Sequence, residues 1–185
     1  LKHLEARTGL SLVPHGNHHI NIGANSILYK LDQGNYKPLN DESLVIPIRL
    51  KTEEGVESAI FINEEWKPSA IFSLSAGLRY NFYTFLGPHD SYVYKENQPM
   101  EVDTIVDTTF YPKNKKVKSY AAPDLRLSAK YSINEFMSVK AAFNQVHQYI
   151  FMLSNTIAVS PTDKWKLVDE HIKPMNGEQY SVGFF

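Results

Sequence analysis

The segment from Ala70 to Leu86 constrains this chain more than any other, because its side chains alternate in character over about eleven residues. Even positions carry Phe72, Leu74, Ala76, Leu78, Tyr80 and Phe82, whereas odd positions carry Ser73, Ser75, Gly77, Arg79 and Asn81. A period of two puts successive side chains on opposite faces of an extended strand. Strands of soluble domains usually stop at about five or six residues, and a tilted strand that crosses a bilayer needs about 9–11. The length of the alternation therefore points to a membrane.

The same period returns at Asp124 to Ile133, where Leu125, Leu127, Ala129, Tyr131 and Ile133 oppose Asp124, Arg126, Ser128, Lys130 and Ser132. It returns at Met137 to Asn144, and only Asn134-Glu135-Phe136 separates the two runs, which predicts a tight antiparallel hairpin. Weaker copies lie at Leu4 to Val13 and His18 to Leu31, joined by Pro14-His15-Gly16-Asn17. A strand at about Val56 to Asn63 turns through Glu64-Glu65-Trp66-Lys67-Pro68 into the long one, and a last strand begins at Gln179. About seven strands are predicted, in an all-β antiparallel arrangement.

Their connections alternate between short and long. Turns near 14–17, 64–68 and 134–136 are brief, while the links near 32–54, 87–122 and 154–177 are long and polar. All short turns then fall at one end of the sheet and all long loops at the other. Loops longer than about 12–15 residues are uncommon in compact soluble domains. An outer-membrane barrel has this sorting by construction: short periplasmic turns, long extracellular loops, an apolar outer face and a polar lumen.

Composition narrows the rest. With 43% hydrophobic and 21% charged residues the chain is too apolar to be disordered. Its longest uncharged run, Ala141 to Thr162, holds Asn144, Gln145, His147, Gln148, Ser154 and Asn155, so no helical membrane span is expected. Nineteen Lys and Arg against twenty Asp and Glu give a net charge of −1, which removes the main support for nucleic-acid binding. The absence of Cys excludes disulfides, thiolate metal sites and a Cys nucleophile. The chain opens on Leu1 without an initiator Met and ends on Phe185 within a regular pattern, so it is expected to be a piece of a longer protein.

Several stretches resemble one family. Trp66-Lys67-Pro68, Leu74-Ser75-Ala76-Gly77-Leu78-Arg79-Tyr80-Asn81, Gly87-Pro88 and Leu125-Arg126-Leu127-Ser128-Ala129-Lys130-Tyr131 are similar to the barrel domain of TonB-dependent outer-membrane receptors of the Bacteroidetes type. Gln148-Tyr149-Ile150, Leu153-Ser154-Asn155, Pro161-Thr162-Asp163-Lys164-Trp165, Ile172-Lys173-Pro174 and Gln179-Tyr180-Ser181 continue the resemblance. It implies a barrel of about 22 strands around a plug, of which residues 1–185 supply part of the wall. Neither the plug nor the TonB box has a counterpart in this sequence. The resemblance further implies active uptake of a nutrient such as a siderophore, cobalamin, glycan or peptide, with no catalysis. The implied partners are the TonB complex through the plug region, outer-membrane lipid, the nutrient itself and a surface lipoprotein lid.

Candidate sites follow from this frame. Arg79, Arg126, Lys130 and Lys140 are expected on the lumen wall, because a charge on the lipid face costs ~2–4 kcal/mol at mid-depth. Tyr29, Tyr80, Phe82, Tyr83, Phe85, Tyr149 and Phe151 are expected to form the aromatic girdle at the membrane interface. Tyr92, Tyr94, Tyr111, Tyr120 and Trp165 lie in the long loops and are the candidates for substrate contact. The basic run Lys113 to Lys118 is expected at a solvated loop tip, where it could also meet anionic lipopolysaccharide. His15, His18 and His19 cluster at a turn, but adjacent strand residues face opposite ways, so no metal site and no cofactor is expected. No G-x-S-x-G elbow occurs, and no catalytic residue is assigned. The rival reading is a soluble ligand-binding β-barrel or β-sandwich, which would turn Phe72, Leu74 and Leu78 inward.

Overall fold

A computed structural model describes residues 1–14, 16–38, 40, 43, 44, 48, 49, 51–153 and 164–185. Seven long strands form one antiparallel sheet: β1 (Lys2–Leu12), β2 (His18–Leu31), β5 (Glu53–Trp66), β6 (Phe72–Leu86), β9 (Lys116–Ser132), β10 (Ser138–Gln148) and β13 (Met175–Phe184). They lie side by side in chain order. The sheet is an open meander whose edges are β1 and β13, and these two strands do not pair with each other. Individual strands run from 10 to 17 residues. A single 3₁₀ turn at Val102–Thr104 is the one helical element among the described residues, and no helix there is long and apolar enough to cross a membrane.

Each long connection carries a small two-stranded sheet of its own. β3 (Asn35–Tyr36) pairs β4 (Ile48–Arg49), β7 (His89–Tyr94) pairs β8 (Ile105–Tyr111), and β11 (Ile150–Leu153) pairs β12 (Lys164–Leu167). The short turns close at the opposite end. Lys67 N–H donates to Asn17 O at 2.8 Å, and Ile133 N–H donates to Met137 O at 2.8 Å.

The ladders place side chains in continuous rows, because directly paired residues share a face. Leu10, Ile22, Ile62, Leu78 and Leu125 form one such row across five strands. Leu127, Phe143 and Tyr180 extend the same face to the other edge. This apolar face is bare: Leu78 is 43% exposed and Phe82 47%. The opposite face carries Arg7, Asn25, Ala59 and Asn81 in one row, and there Asn81 is only 1% exposed. The polar face is concave. In a flat sheet β1 and β10 would stand about 24 Å apart at the usual strand spacing, yet Glu5 and Arg7 of β1 line the same cavity as His147 of β10.

Three expectations change. β9 starts at Lys116 rather than Asp124 and continues the ladder along β6 as far as Leu86. Pro123 and the lysine-rich run disguised this first half as loop. Likewise β5 extends through Glu64-Glu65-Trp66, so the turn falls at 67–71. The aromatic girdle also divides: Tyr80 and Phe82 remain on the exposed apolar face, but Tyr83, Phe85 and Tyr149 are buried on the inner one. They belong to the main hydrophobic core, with Leu31, Leu167 and Val168, and Tyr29 and Phe151 pack against it. The physical reason is that the chain after β12 folds inward and covers them.

Candidate functional site

The inner face has two levels. At the long-loop end the inward-folded segment around Leu167–His171, here called the strap, seals an apolar pocket. Tyr83 and Tyr149 stack with ring centroids 5.0 Å apart and planes 12° from parallel. The Tyr83 hydroxyl donates to Val168 O at 2.8 Å, and the Tyr120 hydroxyl donates to Asp169 O at 2.7 Å. Gly55 makes room for the first of these, since a Cβ there would lie 2.9 Å from the Tyr83 oxygen.

Ion pairs pin the strap's ends. Lys166 Nζ lies 2.7 Å from Glu53 Oε1 and 2.8 Å from Asp169 Oδ2. Burial alone would lower the Lys166 ammonium's pKa, but the two carboxylates outweigh it and raise it. Glu53 also accepts from Leu167 N–H at 2.9 Å. His89 Nε2 meets Glu170 Oε1 at 2.8 Å. Burial favours a protonated Glu170, but hydrogen bonds from His89, backbone and Ser91 prevail and bring its carboxyl down to about 2.

Below the strap the same face turns charged and encloses a cavity of about 430 Å³. Arg79 Nε donates to Asn81 Oδ1 at 2.7 Å, and its terminal nitrogen lies 3.5 Å from Glu57 Oε1. The Tyr29 hydroxyl donates to Glu57 Oε2 at 3.0 Å. Asp124 Oδ1 accepts from the backbone N–H of His147 at 3.0 Å and lies 2.8 Å from its Nδ1. Phe61 lies against Gly23, where a Cβ would meet its ring at 2.5 Å, and the Arg7 guanidinium sits 5.3 Å from the Phe61 centroid.

The expected lumen residues do share this face. Arg79 is opposite Asp124, Arg126 opposite Gly77 and Asn144, and Lys130 opposite Ser73 and Lys140. Arg79 and Arg126 line the cavity, whereas Lys130 and Lys140 stand nearer the short turns, outside it. The loop aromatics do not converge on one spot. Tyr92 and Tyr94 are neighbours at 6.4 Å, and Tyr94 meets the His171 ring edge-on at 5.6 Å. Tyr120 lies in β9 opposite Tyr83 rather than in a loop, and anchors the strap; Tyr111 pairs with His89 in the β7–β8 hairpin, and Trp165 is 43% exposed opposite Met152.

At the other end His18 lies 2.7 Å from Glu64 and stacks on Trp66, while His19 contacts Ser11 across the strand. His15 lies outside the described residues. No group of three metal-binding side chains occurs among the described residues. The covered inner pairs Glu57–Arg79 and Asp124–His147 were missed by sequence reasoning. Their only signal was that Glu57 and His147 fall at inward positions of their strands. No protein-family model matches the chain, and no curated protein or solved structure matches it.

Proposed function

We propose that this chain is a section of wall from an outer-membrane β-barrel of the TonB-dependent receptor type, which takes up a nutrient and catalyses nothing. One observation carries the reading: along β6 the apolar side chains Leu78, Tyr80 and Phe82 are exposed, while between them Asn81 is buried and Arg79 is half-buried. A domain built for water buries the opposite set. Lipid makes the pattern favourable, because every apolar side chain on the outer band then faces hydrocarbon. Glu64, an acid on the outward face, fits as well, since it sits beside the short turns and is paired with His18. The sequence resemblance, the strand lengths and the sorting of connections support the same conclusion.

In this reading β1 and β13 continue into further strands, short turns face the periplasm, and the strap end faces the exterior. The plug region that TonB would pull belongs to other parts of the protein. Nutrient, lipid and a surface lipoprotein lid remain the proposed partners. The soluble ligand-binding module is less favoured, because it needs an apolar interior where the sheet has its charged cavity.

Spin labels on single-cysteine variants of the full-length protein in liposomes test the orientation. A label at Leu78→Cys should be accessible to oxygen and shielded from a water-soluble nickel complex, and one at Ser75→Cys should behave in the reverse way. Nickel accessibility at position 78 would refute a lipid-facing band.

A further inference from the structure

Charged side chains on the outer face fall into two rows, and the rows differ in sign. At the long-loop end the register partners Lys2 and Lys30 share an outward row with Glu54, Leu86 and Lys116. At the short-turn end the outward acid is Glu64, in contact with His18. Between these rows β1, β2, β5, β6 and β9 present no Lys, Arg, Asp or Glu outward. Lys30 and Ile20, the partner of Glu64, are ten residues apart on β2, about 33 Å of strand. A tilt of about 35–45° reduces this to a height of roughly 23–27 Å, the depth of an outer-membrane apolar band. The lysine row therefore stands where hydrocarbon gives way to headgroups.

This row holds more cations than it neutralises. Lys2 and Lys30 are directly opposed, and like charges so placed repel. Glu54 answers one of them: it is 8% exposed and lies 3.1 Å from Lys30 Nζ. Neither Lys2 nor Lys116 has a hydrogen bond or ion pair from its side chain among the described residues. The turn before β9 adds Lys113 and Lys115. Expected at a solvated loop tip, this basic run is instead tied to the sheet: Gly87 N–H donates to Lys115 O at 2.9 Å, and Asn114 N–H donates to Gly87 O at 3.0 Å. Gly87 directly follows Leu86 of β6, so the run begins at the rim of the apolar band.

We propose that this rim binds a membrane lipid whose phosphate headgroup carries a net negative charge, the phosphate between Lys2 and Lys30 and an acyl chain on the apolar surface below. A lipid is favoured over a free anion because cations and apolar surface adjoin. Under the two lysines come Leu4 and Leu28. Next along the strands is a trough of about 400 Å³ lined by Ala6, Ser26, Ser58 and Phe82. Lysine suits a phosphate as a compact point charge. The opposite rim presents Glu64 and would repel the same headgroup, so the face distinguishes the two leaflets.

The inference rests on the membrane reading, which puts lipid against this face. Native mass spectrometry of the purified full-length protein in a neutral detergent compares retention of dimyristoyl phosphatidylglycerol and dimyristoyl phosphatidylcholine. Each lysine near an anionic lipid is worth about a fivefold preference. Three lysines against one glutamate leave the row two positive charges, so phosphatidylglycerol should be preferred about 25-fold. Lys2→Gln should leave a preference of about fivefold, and Lys2→Glu, which reverses the charge, should erase it. Because Lys2 faces Lys30, Lys2→Glu should unfold in urea at or above the parent's midpoint, which separates lost binding from lost fold. Lys140→Gln, on the inner face, should keep the full preference. Inorganic phosphate alone should leave no adduct.

Equal retention of the two lipids overturns the proposal, as does an undiminished preference in Lys2→Glu or its loss in Lys140→Gln. A phosphate adduct formed without lipid would make the rim a simple anion site and overturns it as well. A protein that passes the spin-label test and retains both lipids equally refutes the rim site alone. One that exposes position 78 to the nickel complex refutes the membrane reading and this proposal with it.

Discussion

Asn81 and Tyr83 sit two residues apart on one strand and point to the same side, yet they live in different surroundings. Asn81 and its neighbour Arg79 border a polar cavity and are held by hydrogen bonds. Tyr83 and Phe85, one step higher, are completely buried in an apolar cluster under the strap. On the outer face no such change occurs, and Leu78, Tyr80 and Phe82 are all exposed. The contrast teaches that strand period decides which face a side chain occupies, whereas the long connections decide what covers it. The apolar cluster is a conventional core that holds the loop end in shape.

The sharpest way to break this contrast is to empty the upper level. Tyr83→Ala removes a fully buried ring, its stacking on Tyr149 and its bond to Val168, and should cost about 3–5 kcal/mol, as for other large aromatic truncations. Ser75→Ala, on the same face near the short turns, should be close to neutral. Urea unfolding of the full-length protein in lipid measures both. Equal costs would mean that the strap contributes no core.

Next in size is the contrast between faces. Leu78→Arg puts a charge on the outer band and should lose ~2–4 kcal/mol if that band lies at mid-depth. Ser75→Arg points inward, where water can reach the charge, and should lose much less. Membrane yield and unfolding midpoints of the two variants decide between them. A penalty at Ser75 equal to that at Leu78 would reverse or abolish the assignment of faces.

Much of this was legible in the residues themselves. The alternation of Phe72 through Phe82 marks β6 and its two faces, and the brief turn at Asn134-Glu135-Phe136 marks the β9–β10 hairpin, because period and turn length are local properties. The shared face of Arg79, Arg126, Lys130 and Lys140 follows from the same period once the register is known. The strap was not legible. Its contacts join Tyr83 to Val168 and Glu53 to Lys166 across 85 and 113 residues, and nothing in either partner's neighbourhood announces the other. For the same reason Tyr83, Phe85 and Tyr149 resemble an interfacial girdle in sequence. An aromatic side chain near the end of a strand has one appearance whether lipid or a folded-back loop covers it.

A milder perturbation isolates the strap's polar attachments from its packing. Tyr83→Phe and Tyr120→Phe each keep the ring and remove one hydroxyl bond to the strap backbone. Each should cost about 1 kcal/mol, the usual net worth of such a bond. Hydrogen exchange should rise at residues 164–172 while the β6 ladder stays protected. Faster exchange along β6 as well would mean that strap and sheet unfold as one unit, and the two levels would not be separable.

The smallest expected effect is a pH dependence confined to the strap. Glu170 has its carboxyl held down to about 2, against an ordinary value of 4.5, because hydrogen bonds from His89, backbone and Ser91 outweigh its burial. The folded strap therefore favours the ionised form more than the open strap does. Its contribution is fully present above about pH 4.5, where both forms are ionised, and is lost as the pH falls toward 2, where the open form takes up its proton first. Pulsed hydrogen exchange at residues 164–172, corrected for the intrinsic rate, should show protection declining through this window. His89→Gln removes the contact at 2.8 Å and should lower protection at neutral pH while flattening the decline, since the bond that separates the two values is gone. The buried acid of the outer face, Glu54, is paired with Lys30 near the long-loop end, eight residues along β5 from Ile62, the partner of Leu78, so the Leu78 region should be indifferent to the same change. A decline of equal depth in the His89 variant would assign the pH response to another group and free Glu170 from any part in holding the strap.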